Sequence, residues 1–355
     1  MRSCDVERKA IILGRPDAAA VQRPDPVAAA RVANRPIISH VLESLASAGV
    51  SETAVVGPDT AVADLRTTIE QEGARDANVV FLPCGAGSTL VDALSPAVGF
   101  VGGGECIVHS ADGLLGEPLA PFADRLRPGH PDLVLLLHAG ARRQEARDQE
   151  ALQILRISEI TGFSSPTALA GACLLGSGAL ELACTREGEV DGEPQLTRLA
   201  ERVAAAGGQV QAGRVSWRSY SGDPLDLLEM NRMVLDQLPA RTNTVDRGEN
   251  QIEGRVLIHP SAEVVSSVIA GPAIIGARAR VENAYIGPYT SVGSDVVVEG
   301  SEISRSIILE GARILHVRER IEGSTIGRDA LLRTDFGFPR AMRLHVGEGA
   351  EMLLN

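Results

Sequence analysis

Between Lys9 and about Leu238, short apolar runs alternate with stretches of helical spacing. Ala10–Leu13, Thr53–Val56, Asn78–Phe81, Cys106–Val108 and Leu133–Leu137 are unbroken enough to predict strands buried on both faces. Ile37–Ala48, Val62–Glu72, Thr89–Ala97, Gln195–Ala206 and Pro224–Leu238 carry apolar residues at helical intervals and end near glycines or polar turns, so helices are predicted there. This alternation predicts an α/β, Rossmann-like domain whose mostly parallel sheet is covered by helices on both faces. At Pro239 the pattern changes, and Arg241–Gln251, rich in Asn, Thr, Asp and Glu, reads as a linker. The predicted division is a first domain at 1–240, a linker at 241–254 and a second domain at 255–355.

In the second domain an aliphatic residue recurs every five or six positions, often just ahead of a glycine: Ile275-Gly276, Val281, Ile286-Gly287, Val292-Gly293, Val298, Ile303, Ile308, Ile314, Ile321, Ile326-Gly327 and Leu332. Hairpins of an ordinary sandwich would need period-2 alternation over runs of about five or six residues. A period near six is what a β-solenoid demands, because each short strand turns a corner and leaves one aliphatic side chain in a stacked interior column. The prediction is a left-handed hexapeptide β-helix, an element used for assembly between subunits or, in acyltransferases, for shaping a cofactor groove.

Composition then removes several functions. The chain has 355 residues, 44% of them hydrophobic and 23% charged, which suits two globular domains and not a disordered chain. Its net charge of −12 and its 3% aromatic content argue against a nucleic-acid partner. Five cysteines, with no Cys-x-x-Cys pair and no histidine at ligand spacing, give neither a disulfide framework nor a zinc site. Met1–Arg8 contains no apolar core and no long apolar run follows, so no membrane association is expected and a cytoplasmic location is. Of the 34 basic residues one is a lysine, Lys9, and 33 are arginines, so any mechanism that needs two lysines is excluded.

Three short motifs bear on chemistry. Gly85-Ala86-Gly87-Ser88-Thr89-Leu90 follows a predicted strand and opens a predicted helix, the setting in which backbone amides meet a phosphate; a plain strand-to-helix turn accounts for it equally well. Asp112, in His109-Ser110-Ala111-Asp112-Gly113, lies just past a predicted strand's carboxyl end, where open α/β sheets hold ligands and where a carboxylate serves a metal-bound phosphate or simply caps a turn. The remaining histidines are scattered and no Gly-x-Ser-x-Gly elbow occurs, so nucleophilic hydrolysis has no support.

Five segments carry a resemblance to a known family: Lys9-Ala10-Ile11-Ile12-Leu13; Val32-Ala33-Asn34-Arg35-Pro36-Ile37; Gly192-Glu193 to Thr197; Leu227-Leu228-Glu229-Met230-Asn231-Arg232-Met233-Val234-Leu235-Asp236; and Tyr285-Ile286-Gly287-Pro288-Tyr289-Thr290-Ser291-Val292-Gly293. With an α/β domain followed by a hexapeptide β-helix, the chain resembles the sugar-1-phosphate nucleotidylyltransferases over nearly its whole length, and in particular the long-form glucose-1-phosphate thymidylyltransferases. The resemblance implies a GT-A-like nucleotidyltransferase domain and in-line attack of a sugar 1-phosphate on the α-phosphorus of a nucleoside triphosphate, releasing diphosphate. Such a transfer rests on positive charge held against the phosphates. In the family that charge comes from a glycine-rich loop with Thr-Arg, an activating lysine, a Glu-Lys-Pro lysine on the sugar phosphate, and two aspartates that hold Mg²⁺.

Position by position, this chain departs from that set. After Leu13 it reads Gly14-Arg15-Pro16-Asp17, without paired glycines or Thr-Arg, and Val21 stands within the loop. The activating lysine falls at Val27, the Glu-Lys-Pro lysine at Ile160, and the second Mg²⁺ ligand at Ser219, in Trp217-Arg218-Ser219. The resemblance leaves Asp112 as a metal ligand and Gly14, Arg15, Gly85, Gly87 and Glu193 as substrate contacts, with no catalytic residue retained. Removing a single charge-stabilising donor typically costs about a hundredfold to a thousandfold in rate. The expectation is therefore a family member without ordinary turnover. It would bind a nucleotide or sugar phosphate, with Mg²⁺ only alongside a ligand, and assemble as a homo-oligomer or with an active paralogue. The alternative is an active enzyme with a rebuilt site for glucose 1-phosphate or an unusual sugar or cyclitol phosphate in secondary metabolism.

Overall fold

The computed structural model describes residues 8–14, 29–72, 78–84, 94–138, 152–154, 169–185, 195–239 and 249–334. By contact the chain divides into two compact units, one running through Ile37–Ser219 and including the first strand, the other taking Ala30–Pro36 and everything from Tyr220 onward. The division at Ser219 falls ahead of the polar linker, most of which lies outside the described residues.

The N-terminal unit is built on an eight-stranded sheet ordered β5-β4-β1-β6-β10-β8-β11-β9. Its strands are β1 (Arg8–Leu13), β4 (Val50–Pro58), β5 (Val79–Cys84), β6 (Cys106–Ser110), β8 (Leu133–His138), β9 (Leu152–Ile154), β10 (Leu169–Leu175) and β11 (Val210–Val215). Strand β1 is central, and Ala10, Ile11 and Ile12 have no exposed surface, as expected of a parallel strand covered on both sides. β5, β4, β1 and β6 run parallel, as do β8 and β11, but β10 lies antiparallel between β6 and β8, and β9 is antiparallel at the edge. The sheet is thus mixed but mostly parallel, as predicted, with six of its eight strands running the same way. The reversed β10 is not among the predicted strands because its core, Ala-Gly-Ala-Cys, is too small-residue-rich to announce itself as a buried strand.

The helices follow the apolar spacing. Helix Ile37–Ser47 buries Ile37, Ile38, Val41 and Leu45, and helix Asp59–Gln71 buries Val62, Leu65 and Ile69. The helix predicted at Thr89–Ala97 is described only in its last part, a 3₁₀ turn at Ser95–Ala97 that leads into a single turn at Val98–Val101. Lys9 proves to be the second residue of β1 itself, not a residue ahead of it.

The C-terminal unit contains the left-handed β-helix. Three parallel sheets of five short strands each wrap Gln251–Arg333. Register stacks Ile252, Ile269, Ile286, Ile303 and Ile321 in one column, Ile258, Ile275, Val292, Ile308 and Ile326 in a second, and Val264, Val281, Val298, Ile314 and Leu332 in a third. These columns form one continuous core, the arrangement the near-six period predicts. Its corners use left-handed backbone at Asn283, Asp295 and Asp329, residue types that tolerate it. Two elements from outside the coils complete the unit: helix Pro224–Asp236, capped by the Asp223 side chain on the Leu225 amide, and a hairpin of β2 (Arg31–Val32) and β3 (Arg35–Pro36).

Candidate functional site

The sequence-derived positions that fall among the described residues are Gly14, Asp112 and Ser219; Arg15, Val21, Val27, Gly85, Gly87, Ile160 and Glu193 lie outside them. Gly14 follows β1 at its carboxyl end, where its amide donates to the Val56 carbonyl at 2.8 Å. A Cβ on Gly57 would stand 2.5 Å from the Gly14 carbonyl oxygen, so the two chains approach here as closely as glycine allows. Next to it, the Ala111 amide donates to the Leu13 carbonyl at 3.0 Å, which ties the turn carrying Asp112 to the end of β1. Gly14 and Asp112 therefore share the carboxyl edge of the parallel strands, the place where open α/β sheets hold ligands.

Two short strands bring Ser219 to the same place. β7 (Gly113–Leu115) pairs antiparallel with β12 (Trp217–Ser219), and the register sets Ser219 opposite Gly113, the residue directly after Asp112. The two positions to which the family resemblance assigns the metal ligands are thus neighbours, one a carboxylate and one a hydroxyl. Asp112 Oδ1 accepts a hydrogen bond from the Ser110 hydroxyl. Mg²⁺ takes hard oxygen donors, typically one or two carboxylates completed by substrate phosphates. Among the described residues no cluster of three or more His, Cys, Asp or Glu side chains assembles, so this donor set falls short of a metal site made by protein alone.

Behind Asp112 the site is walled by His109 and Trp217. The His109 ring is buried, and burial pushes its pKa down to about 4, so it is neutral at physiological pH. Its Nδ1 lies 2.7 Å from the Ser110 carbonyl oxygen, which makes Nδ1 the protonated nitrogen. The ring meets Trp217 edge-on at a centroid distance of 5.6 Å. Trp217, the only tryptophan of the chain, lies flat on two glycines: a Cβ would come within 2.1 Å of its ring at Gly113 and within 2.5 Å at Gly171. Those glycines are spaces that the indole fills.

Beside Ser219, Arg218 Nη1 lies 3.3 Å from His138 Nε2, and the Trp217 amide lies 3.4 Å from His138 Nδ1. Sequence reading treated His138 as one of several scattered histidines. Its position directly after the apolar run Leu133–Leu137, at a strand's carboxyl end, is the signal that would have placed it here.

The single lysine is committed elsewhere. Lys9 Nζ lies 2.8 Å from a Glu52 carboxylate oxygen, donates to the Phe100 carbonyl at 3.0 Å and sits 4.8 Å from the centre of the Phe100 ring. Three cysteines of this unit, Cys106, Cys173 and Cys184, are poor nucleophiles. Burial pushes the thiols of Cys106 and Cys184 up and that of Cys173 up to about 12.

No family model matches the chain. Its curated relatives are informative. A glucose-1-phosphate thymidylyltransferase of Streptomyces griseus is 31% identical over 327 residues, covering 89% of this chain and 90% of the relative. A glucose-1-phosphate thymidylyltransferase of Streptomyces antibioticus is 28% identical, with 90% and 91% covered, and a low-salt glycan biosynthesis nucleotidyltransferase of Haloferax volcanii is 24% identical, with 91% and 92% covered. A crystal structure from Bacillus anthracis named for glucose-1-phosphate thymidylyltransferase aligns with 63% of this chain at 14% identity and a TM-score of 0.49, a likeness too distant to bear on function. Identity of this extent, running through both the mixed sheet and the β-helix, makes the chain a member of the sugar-1-phosphate nucleotidylyltransferase family.

Proposed function

We propose that this chain is a family member that has given up ordinary nucleotidyl transfer and serves as a ligand-binding, regulatory or assembly subunit. The observation that carries the reading is the commitment of its only lysine, Lys9, to Glu52 and Phe100. No second lysine exists to hold a sugar phosphate or to stabilise the charge on a triphosphate. Arginine is no free substitute, since a planar fork and a point charge place their donors differently, and the lysine positions themselves hold Val27 and Ile160. The position of Ser219 opposite Gly113, next to Asp112, where a second carboxylate would be expected, is in keeping with this. Mg²⁺, if used, would arrive with a ligand's phosphates and lean on Asp112; as a hard cation it would neutralise phosphate charge.

The residues present suit recognition. Asp112 is held by Ser110, the neutral His109 and the glycine-seated indole of Trp217 give a rigid floor, and Arg218 supplies a cation next to Ser219. A second reading, an active enzyme with a rebuilt site for an unusual sugar phosphate, draws on the near-full-length likeness to glucose-1-phosphate thymidylyltransferases and on the retained Asp112. One experiment separates the two. Purified protein is given each nucleoside triphosphate, Mg²⁺ and a panel of sugar 1-phosphates, and diphosphate release is followed beside thermal shift. A stabilising shift without release is expected. Release on the order of 1 per second or faster would overturn the first reading in favour of the second.

A further inference from the structure

Three of the five segments that carry the family resemblance meet at one side chain, Asn231, and apart from Ile37 all of them belong to the C-terminal unit. Asn231 is buried in helix Pro224–Asp236. Its Oδ1 accepts from the Ala33 amide at 2.8 Å and from the Ser291 hydroxyl, and its Nδ2 donates to the Tyr289 carbonyl at 3.1 Å. Both ends of the carboxamide are thereby used, one on the β2–β3 hairpin and both on the third coil of the β-helix. The hairpin is also fastened directly to the coils. Asn34 Nδ2 donates to the Val292 carbonyl at 2.7 Å, and Arg31 Nε lies 3.1 Å from Glu310.

The hairpin's backbone indicates that this joint holds it against a preference. Its two-residue turn is Ala33-Asn34, with φ of 47° and 66°. Two successive left-handed residues make a tight hairpin turn that normally wants Asn-Gly or Asp-Gly. Asn34 tolerates the conformation, but Ala33 pays a steric penalty there and persists only where surrounding contacts over-determine it. The amide held in that conformation is the one Asn231 captures, and Ala33 and Val32 are buried.

We infer that Asn231 is a positioning residue that makes residues 31–36 a strap of the C-terminal unit, fastened to the β-helix and to helix Pro224–Asp236. The chain then crosses between its units more than once, and the C-terminal unit is not complete without residues drawn from the N-terminal end of the sequence. This holds whether or not the protein turns over substrate, and its test has a separate readout.

The test is hydrogen–deuterium exchange and calorimetry on the full-length protein. Asn231→Ala strips the acceptor from a buried amide, so exchange at Ala33 is expected to rise on the order of tenfold to a hundredfold, with faster exchange at 289–292 and no change in β1. The calorimetric transition of the C-terminal unit should also fall. Asn231→Asp keeps an acceptor and should leave Ala33 more protected than Asn231→Ala does. If Asn231→Ala does not fold, Asn34→Asp removes the donor to the Val292 carbonyl while keeping a residue type that tolerates the left-handed turn, and should raise exchange across 31–36 while sparing helix Pro224–Asp236. Unchanged protection of 31–36 in a folded Asn231→Ala protein, or in Asn34→Asp, would overturn the inference.

Discussion

The candidate site of the N-terminal unit and the Asn231 joint of the C-terminal unit are held together in different ways. At the site a backbone hydrogen bond ties the Asp112 turn to β1, and β12 brings its third residue, Ser219, opposite Gly113. At the joint both ends of one carboxamide are in use. Backbone pairing holds the site whatever side chains line it. Losing Asn231 strands several buried donors and acceptors at once. Substitutions at the joint are therefore expected to act on folding, and polar substitutions at the site on ligand binding.

Perturbations of decreasing size put this contrast under strain. The largest effect is expected from Ile286→Ala, which removes a fully buried side chain from a stacked column; about 2–4 kcal/mol should be lost in denaturant unfolding of the C-terminal unit, with the site's tryptophan signal unaffected. Acidification acts on the other unit. The buried His109 has a folded-state pKa of about 4 against an ordinary value of 6.5, so the unfolded chain takes up its proton first. Stability attributable to this group is complete above pH 6.5, falls by about 3 kcal/mol as pH drops to 4, and stays level below that. A His109→Gln variant should flatten that part of the pH–stability curve, and an unchanged curve would remove His109 from the account.

Gly171→Ala pushes a methyl group into the Trp217 ring, an overpacking worth about 1–3 kcal/mol. Because Trp217 is the only tryptophan, displacement of the ring should shift the emission maximum to the red; emission that stays put would mean the indole is not seated as described. Ser219→Asp should restore a second carboxylate beside Asp112 and introduce a Mg²⁺-dependent rise in melting temperature, without creating turnover, since no lysine is restored. The smallest effect belongs to Arg278→Ala. The Arg278–Asp295 pair is well formed at 2.6 Å but exposed at a β-helix corner, and its removal should leave the melting temperature unchanged within error.

How much of this was legible in the sequence varies with the physics of each part. The β-helix was readable because one residue class at one period fixes both strand length and interior, and the aliphatic residues named from the sequence are the ones stacked in its columns. Strands β1, β4, β6 and β8 were readable as aliphatic runs, whereas β10 was not, because its small residues leave room for Trp217 instead of filling space themselves. The counting of one lysine was available at once, but its ion pair with Glu52 was not, since residues 9 and 52 meet only through the pairing of β1 with β4. Asn231 stood in a recognisable segment, yet nothing in that segment points to residues 33 and 291, and a single buried amide has no period to betray it.

The β-helix register has a consequence for how such a chain can change length. Partners stack 17 residues apart from Gln251 to Val268 and from Val268 to Tyr285, then 18 apart from Ile303 to Ile321, while Val298 to Ile314 needs only 16. Single-residue slips are therefore absorbed at corners, but every side of the triangle must close before the next can begin. Growth or loss by whole rungs preserves all three interior columns, whereas an insertion of half a rung would misalign them together. The β-helix is in this sense modular in steps, a ruler whose smallest safe division is one turn.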